Sequence, residues 1–127
     1  MHETRSLISA PAPWLPAARH ELAGLGLPPQ WPEETVEAPT TRASKSADCT
    51  LRLLADLGLE PSWLLPSPEG GVCIAFARDG RYAEIQLLNR GEIITIRSEG
   101  AESLSQVVPS ELDLRSAAQT IRAFLSH

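Results

Sequence analysis

The chain has 127 residues, enough for one hydrophobic core and too few for two independent ones. With 43% hydrophobic and 21% charged residues, its composition is that of a folded globular protein and not of a disordered chain. A net charge of -5 argues against a generic nucleic-acid or anionic-membrane surface, which needs clustered Lys and Arg, and favours a basic partner.

The first fourteen residues, MHETRSLISAPAPW, lack the basic stretch and apolar run of a secretory signal. No segment reaches the roughly 18 apolar residues that a membrane span requires. Cys49 and Cys73 have no CxxC spacing and no matching histidines, so two buried free thiols in a reducing bacterial cytoplasm are expected.

Eight of the eleven prolines lie between Pro11 and Pro61, which predicts a looser N-terminal half. Residues 1–26 read as an N-terminal arm. Within it PAARHELAGLG predicts a short helix, with Pro16 in its first turn and Gly24 or Gly26 at its end. Residues 27–127 read as a single α+β domain, of which 27–43 is an extended, proline-rich lead-in pinned by Trp31 and Val36. From Ser44 or Ser46 a helix follows, SADCTLRLLADLGLEP, with Ala47, Leu51, Leu54 and Ala55 on one face. Gly58 suits its left-handed end, and Pro61 forbids continuation.

The segment VCIAFARDGRYAEIQLL predicts a hairpin turning at Asp79-Gly80. Counting outward pairs Phe76 with Ala83, Ile74 with Ile85 and Val72 with Leu87, and leaves Cys73, Ala75, Ala77, Tyr82, Glu84 and Gln86 on the opposite face. A second turn near Asn89-Arg90-Gly91 leads into EIITIRS. A two-residue turn at Arg90-Gly91 sets Leu87 opposite Ile94, Ile85 opposite Ile96 and Glu84 opposite Arg97. A three-residue turn moves Ile94 and Ile96 to the other face, so the two-residue register is expected. The segment LSQVV is a possible fourth strand. Ser110 and Asp113 then stand at capping-box spacing before a helix whose Leu114, Ala117, Ala118, Ile121 and Leu125 form an apolar stripe. The fold class read from the sequence is α+β: a three-stranded, possibly four-stranded, antiparallel meander flanked by a preceding helix and a C-terminal amphipathic helix.

Catalytic chemistry finds little support. His2, His20 and His127 are scattered and make no pair at metal-ligand spacing. Gly24, Gly26, Gly70 and Gly71 lack the Lys and the helix start of a phosphate loop. No serine or cysteine sits in a nucleophile motif. No catalytic residue, metal or cofactor is therefore expected. The order helix, three strands, helix also occurs in double-stranded RNA binding domains, but their basic cluster at the last helix is replaced here by the acidic SELDL.

Partner binding remains. Aromatic Trp14 and Trp31 in proline-flanked segments, acidic Glu33 and Glu34, and Tyr82 and Glu84 on the smaller sheet face are the candidate contacts for a basic protein partner. An antitoxin-like, immunity-like or accessory-subunit role fits these features. The alternative is a nucleic-acid-associated component using Arg78, Arg81, Arg90 and Arg97 around the hairpins.

The sequence LGLPPQWPEE, the helix SADCTLRLLADLGLEP and the segment LLPSPEGGVCIAFARDGRYAEIQLLNRGEI together resemble a loosely defined group of small bacterial proteins. These share a Pro-Pro-x-Trp segment, a helix, and a Pro-x-Pro-(Asp/Glu)-Gly-Gly stretch leading into a strand and hairpin. The resemblance runs from about Leu25 to Ile96. It departs at Pro32-Glu33, where Asp-Gly is usual, and at Ala75-Phe76, where an acidic residue and Trp often stand. It implies the same fold and supplies no activity, so no functional residue is carried over.

Overall fold

The computed structural model describes residues 12–25 and 38–126. The elements run α1 (Leu15–Gly24), α2 (Thr41–Leu57), β1 (Trp63–Pro66), β2 (Gly71–Arg78), β3 (Arg81–Leu88), β4 (Ile93–Glu99), β5 (Glu102–Val108) and α3 (Leu114–Leu125). The protein is α+β, with a five-stranded antiparallel sheet in the order β1-β2-β3-β4-β5. That is one strand beyond the upper count expected. LSQVV lies within β5, and β1 is the strand that the sequence concealed. Its WLLP run is too short for alternation to show, and its proline is tolerated only because the strand lies at the edge.

One face of the sheet carries Val72, Ile74, Phe76, Ala83, Ile85 and Leu87. It packs against Ala47, Leu51 and Leu54 of α2 and against Leu114, Ala118, Ile121 and Leu125 of α3. Side chains alternate across a strand, so these same residues leave the opposite face without helices from the described chain. Within the N-terminal arm, α1 has proline in its first turn and ends at Gly24. Its Leu22 and the following Leu25 are buried in the same core.

The first hairpin has the register counted from its turn, with Val72, Ile74 and Phe76 opposite Leu87, Ile85 and Ala83. Asp79 and Gly80 both have positive φ, at 50° and 81°, as a two-residue turn matched to the strand twist requires.

The second hairpin differs from expectation. Asn89, Arg90 and Gly91 form a three-residue turn with Gly91 at φ 99°, closed by the Leu88 N–H on the Glu92 carbonyl at 2.9 Å. Leu87 therefore faces Ile93, Ile85 faces Thr95, Glu84 faces Ile96, and Arg97 faces Ala83. The extra turn residue moves the whole strand by one position, so Ile94 and Ile96 point away from the helices. Two tertiary ties hold this turn. The Asn89 side chain accepts the Thr40 N–H at 2.8 Å and donates to the Ala38 carbonyl at 3.0 Å.

Two helix starts also move. α2 begins at Thr41, three residues before the earlier of the two expected starts, so 41–43 are helical and not part of an extended lead-in. Thr40 is its cap, accepting the Ala43 N–H at 3.2 Å, while the Ser46 hydroxyl donates to Glu111 at 2.8 Å. Ser110 caps a 3-10 turn, Glu111–Asp113, through the Leu112 N–H, and α3 follows at Leu114. Both cysteines are free, but only Cys73 is buried. Cys49 is exposed on α2.

Candidate functional site: the outer face of the sheet

The strand registers assemble the outer face row by row. Leu65, Cys73, Gln86, Ile94 and Val107 form one row across β1 to β5, and Trp63, Ala75, Glu84, Ile96 and Ser105 form the next. Ala77, Tyr82, Ser98 and Ser103 follow on β2 to β5. Three large apolar residues on this face are substantially exposed: Trp63 at 51%, Leu65 at 43% and Val107 at 72%. Ile94 and Ile96 are half-buried beside them. Trp63 and Leu65 lie on β1 and Ile94, Ile96 and Val107 on β4 and β5, so the face carries an apolar patch at each edge, with Cys73 and Ala75 of β2 buried between them.

A polar stripe along β3 divides this apolar surface. The Tyr82 hydroxyl donates to one Glu84 carboxylate oxygen at 2.5 Å, and the Gln86 amide donates to the other at 2.8 Å. Ser67 donates to the Gln86 carbonyl oxygen at 2.9 Å and accepts the Glu69 N–H at 3.2 Å. Side chains two residues apart share a face of a strand, which is why positions 82, 84 and 86 meet. Glu84 is the only charged side chain among the outward-facing residues of these rows. It makes no ion pair among the described residues.

Cys73 lies directly opposite Gln86 and beside this carboxylate. Burial first, and then the charge and hydrogen bond of Glu84, push its thiol up to about 12. The Tyr82 phenol is also raised, by burial and by its bond to Glu84. Nucleophilic cysteine and basic phenolate chemistry need the ionised forms, and here both groups are held in the neutral form. The cluster thus holds the Glu84 carboxylate between the Tyr82 and Gln86 donors, beside a neutral thiol. Among the described residues no group of three or more His, Cys, Asp or Glu side chains converges as a metal site.

The other sequence-predicted contacts are dispersed. Trp14 stands at the start of α1, half-buried against the core. It lines a groove of about 180 Å³ that also includes Trp63. Trp31, Glu33 and Glu34 lie outside the described residues. The four arginines are not brought together. Arg78 donates to the Glu60 carbonyl at 3.0 Å. Arg81 pairs with Glu99 at 3.3 Å, and Arg97 donates to Gln106 at 3.0 Å. Both guanidinium groups also lie over the Phe124 ring of α3, on the helix-covered side. Arg90 sits in the β3–β4 turn, at the far end of the eight-residue β3 from Arg81.

The contacts that sequence reasoning missed are Leu65, Ile94, Ile96 and Val107, while Trp63, in a proline-flanked segment like Trp14 and Trp31, is exposed as an aromatic anchor would be. The glycine in Asn89-Arg90-Gly91 was the available signal, since a three-residue turn with a left-handed glycine is a common hairpin connection. A larger groove of about 930 Å³ lies between α1 and α2, where Asp48 binds Arg19 at 2.6 Å and Arg52 at 3.2 Å. Its walls are joined by residues 26–37, outside the described set, and it carries no assignment.

The fold is that of an α+β protein with a five-stranded antiparallel meander, helices on one face and a mixed outer face that carries one carboxylate. No helix among the described residues is long and apolar enough to cross a membrane. Compared with known proteins, the chain matches no family model, no curated protein and no solved structure.

Proposed function

We propose that this protein is a non-enzymatic binding module of the bacterial cytoplasm, antitoxin-like, immunity-like or an accessory subunit, and that it docks a protein partner on the outer sheet face. The supporting observation is the setting of Glu84. Two neutral donors, Tyr82 and Gln86, fix the carboxylate between buried Ala75 and half-buried Ile96, with apolar patches at both sheet edges and no cation among the described residues paired to it. A partner that offers one Lys or Arg within an apolar strip complements this surface, because burying the carboxylate unpaired is costly. The charge balance points to this local feature and not to a general acidic field. The described residues hold ten Lys and Arg against twelve Asp and Glu, a net of -2.

The test is affinity purification from the native host with the wild-type chain, Glu84→Gln and Ile96→Asp in parallel. The reading is supported when a basic protein is recovered by the wild type and lost from both variants. Recovery of the same protein by both variants overturns it, as does turnover of a substrate by the purified chain.

A further inference from the structure

The two edges of the sheet are finished differently. β1 has only four residues, includes Pro66 and has α1 packed beside it. β5 has seven residues, pairs one-to-one with β4 without a bulge, and contains no Lys, Arg or Pro. It is exposed from Glu102 to Val107. Long edge strands in natural proteins are usually guarded by such devices, because their unpaired backbone groups recruit another strand.

The turn decides which groups of β5 are free. Glu99 and Glu102 flank the two-residue turn Gly100-Ala101, the place of a hydrogen-bonded pair in such a hairpin. Alternation then commits the N–H and C=O groups of Glu102, Leu104, Gln106 and Val108 to β4. Those of Ser103, Ser105 and Val107 point outward.

We propose that two copies of the chain associate through β5, antiparallel about a two-fold axis at Ser105, into one continuous ten-stranded sheet. Only this register places all three outward residues in hydrogen-bonded pairs. Ser105 meets Ser105 of the second copy, and Ser103 meets Val107 in both directions, for six main-chain bonds by the geometry of an antiparallel ladder.

The strand is compatible with its own copy: β5 is uncharged from Ser103 to Val108, so a second β5 meets no like charge along the paired segment. In this register the two Glu102 residues lie at opposite ends of the seam, roughly 20 Å apart along the strands. The side chains agree. Leu104, half-exposed at the edge of the helical layer, becomes a diagonal neighbour of Leu104 from the second copy, and Val107 gains a cross-strand neighbour on the outer face. The association rests on the main-chain groups of the sheet edge and shares only the β5 side chains with the outer face, so it is read by self-association without any other protein present.

The experiment is light scattering and sedimentation of the full chain over a wide concentration range, with amide exchange at Ser103, Ser105 and Val107. The expected result is a dimer whose formation slows exchange at those three amides. Ser105→Pro removes one outward N–H from each copy and leaves the β4–β5 ladder intact, so the dissociation constant rises roughly 30-fold or more. Should that variant fail to fold by circular dichroism, Ser105→Lys is read in its place, since it sets two ammonium groups together at the axis. A chain that stays monomeric throughout, or a dimer that the folded variant leaves unchanged, overturns the proposal.

Discussion

Asn89 and Thr40 are 49 residues apart in sequence, and the Asn89 side chain accepts the Thr40 backbone N–H at 2.8 Å. The same amide donates to the Ala38 carbonyl at 3.0 Å, so one side chain ties the β3–β4 turn to the residues that open α2. Asn89→Ala leaves that N–H and carbonyl without protein partners. The expected loss is about 1–2 kcal/mol in urea unfolding, reduced by whatever water replaces the bonds. Faster amide exchange at Thr40 locates the effect, and unchanged exchange there refutes the assignment of the tie.

Two glycines of positive φ predict opposite severities. Gly71 has φ 128°, and a Cβ there runs into the Leu87 carbonyl and lies 2.8 Å from the Leu88 Cα, both of them backbone. Gly71→Ala therefore strains both the residue and the β2–β3 ladder, and a loss of roughly 2–4 kcal/mol is expected. Gly80 has φ 81° and open space around it, so Gly80→Ala carries only the conformational penalty of about 1 kcal/mol. Equal midpoints for the two variants in denaturant titration contradict this account.

The neutral state of Cys73 and Tyr82 has a pH signature. The thiol is pushed up to about 12 from an ordinary value of 9.0, so the unfolded chain loses this proton first. Its contribution to stability is complete below about pH 9 and is lost as pH rises toward about 12. Tyr82 acts in the same direction. It is the only tyrosine, so phenolate absorbance reports it alone. Its titration midpoint is expected above the ordinary value and falls in Glu84→Gln. A midpoint that ignores this substitution rules out the Glu84 bond as a cause.

Trp63 distinguishes contact surface from core. Its side chain is half-exposed at the end of β1, so Trp63→Ala is expected to cost no more than about 1–1.5 kcal/mol, against about 3–5 kcal/mol for the fully buried Phe76→Ala. Thermal unfolding of the two variants gives the comparison. A Trp63→Ala loss as large as that of Phe76→Ala returns Trp63 to the core and removes it from the docking surface.

The helices and the first hairpin were legible because their information is local. The apolar spacing of Leu51 and Leu54, the left-handed Gly58 and the stripe from Leu114 to Leu125 all act within a few residues. Asp79-Gly80 fixes both turn length and twist, so the β2–β3 register followed by counting. The candidate site was legible only in part. Tyr82 and Glu84 were placed on the outer face, while the apolar groups around them depended on the β3–β4 register and on β1.

Alternation and turn residues in the sequence thus determine an α+β body with a known inner face, built on the β2–β3 hairpin and covered by two amphipathic helices. Tertiary structure alone decided the rest. Asn89 reaches across to Thr40 and ties a turn whose length sends Ile94 and Ile96 outward, and β1, too short to show a pattern, is held only by pairing with β2. The physical reason is range: a turn or a helix cap is settled by neighbours in the chain, whereas a sheet edge and the unhelixed face are settled by bonds between residues the chain has yet to bring together.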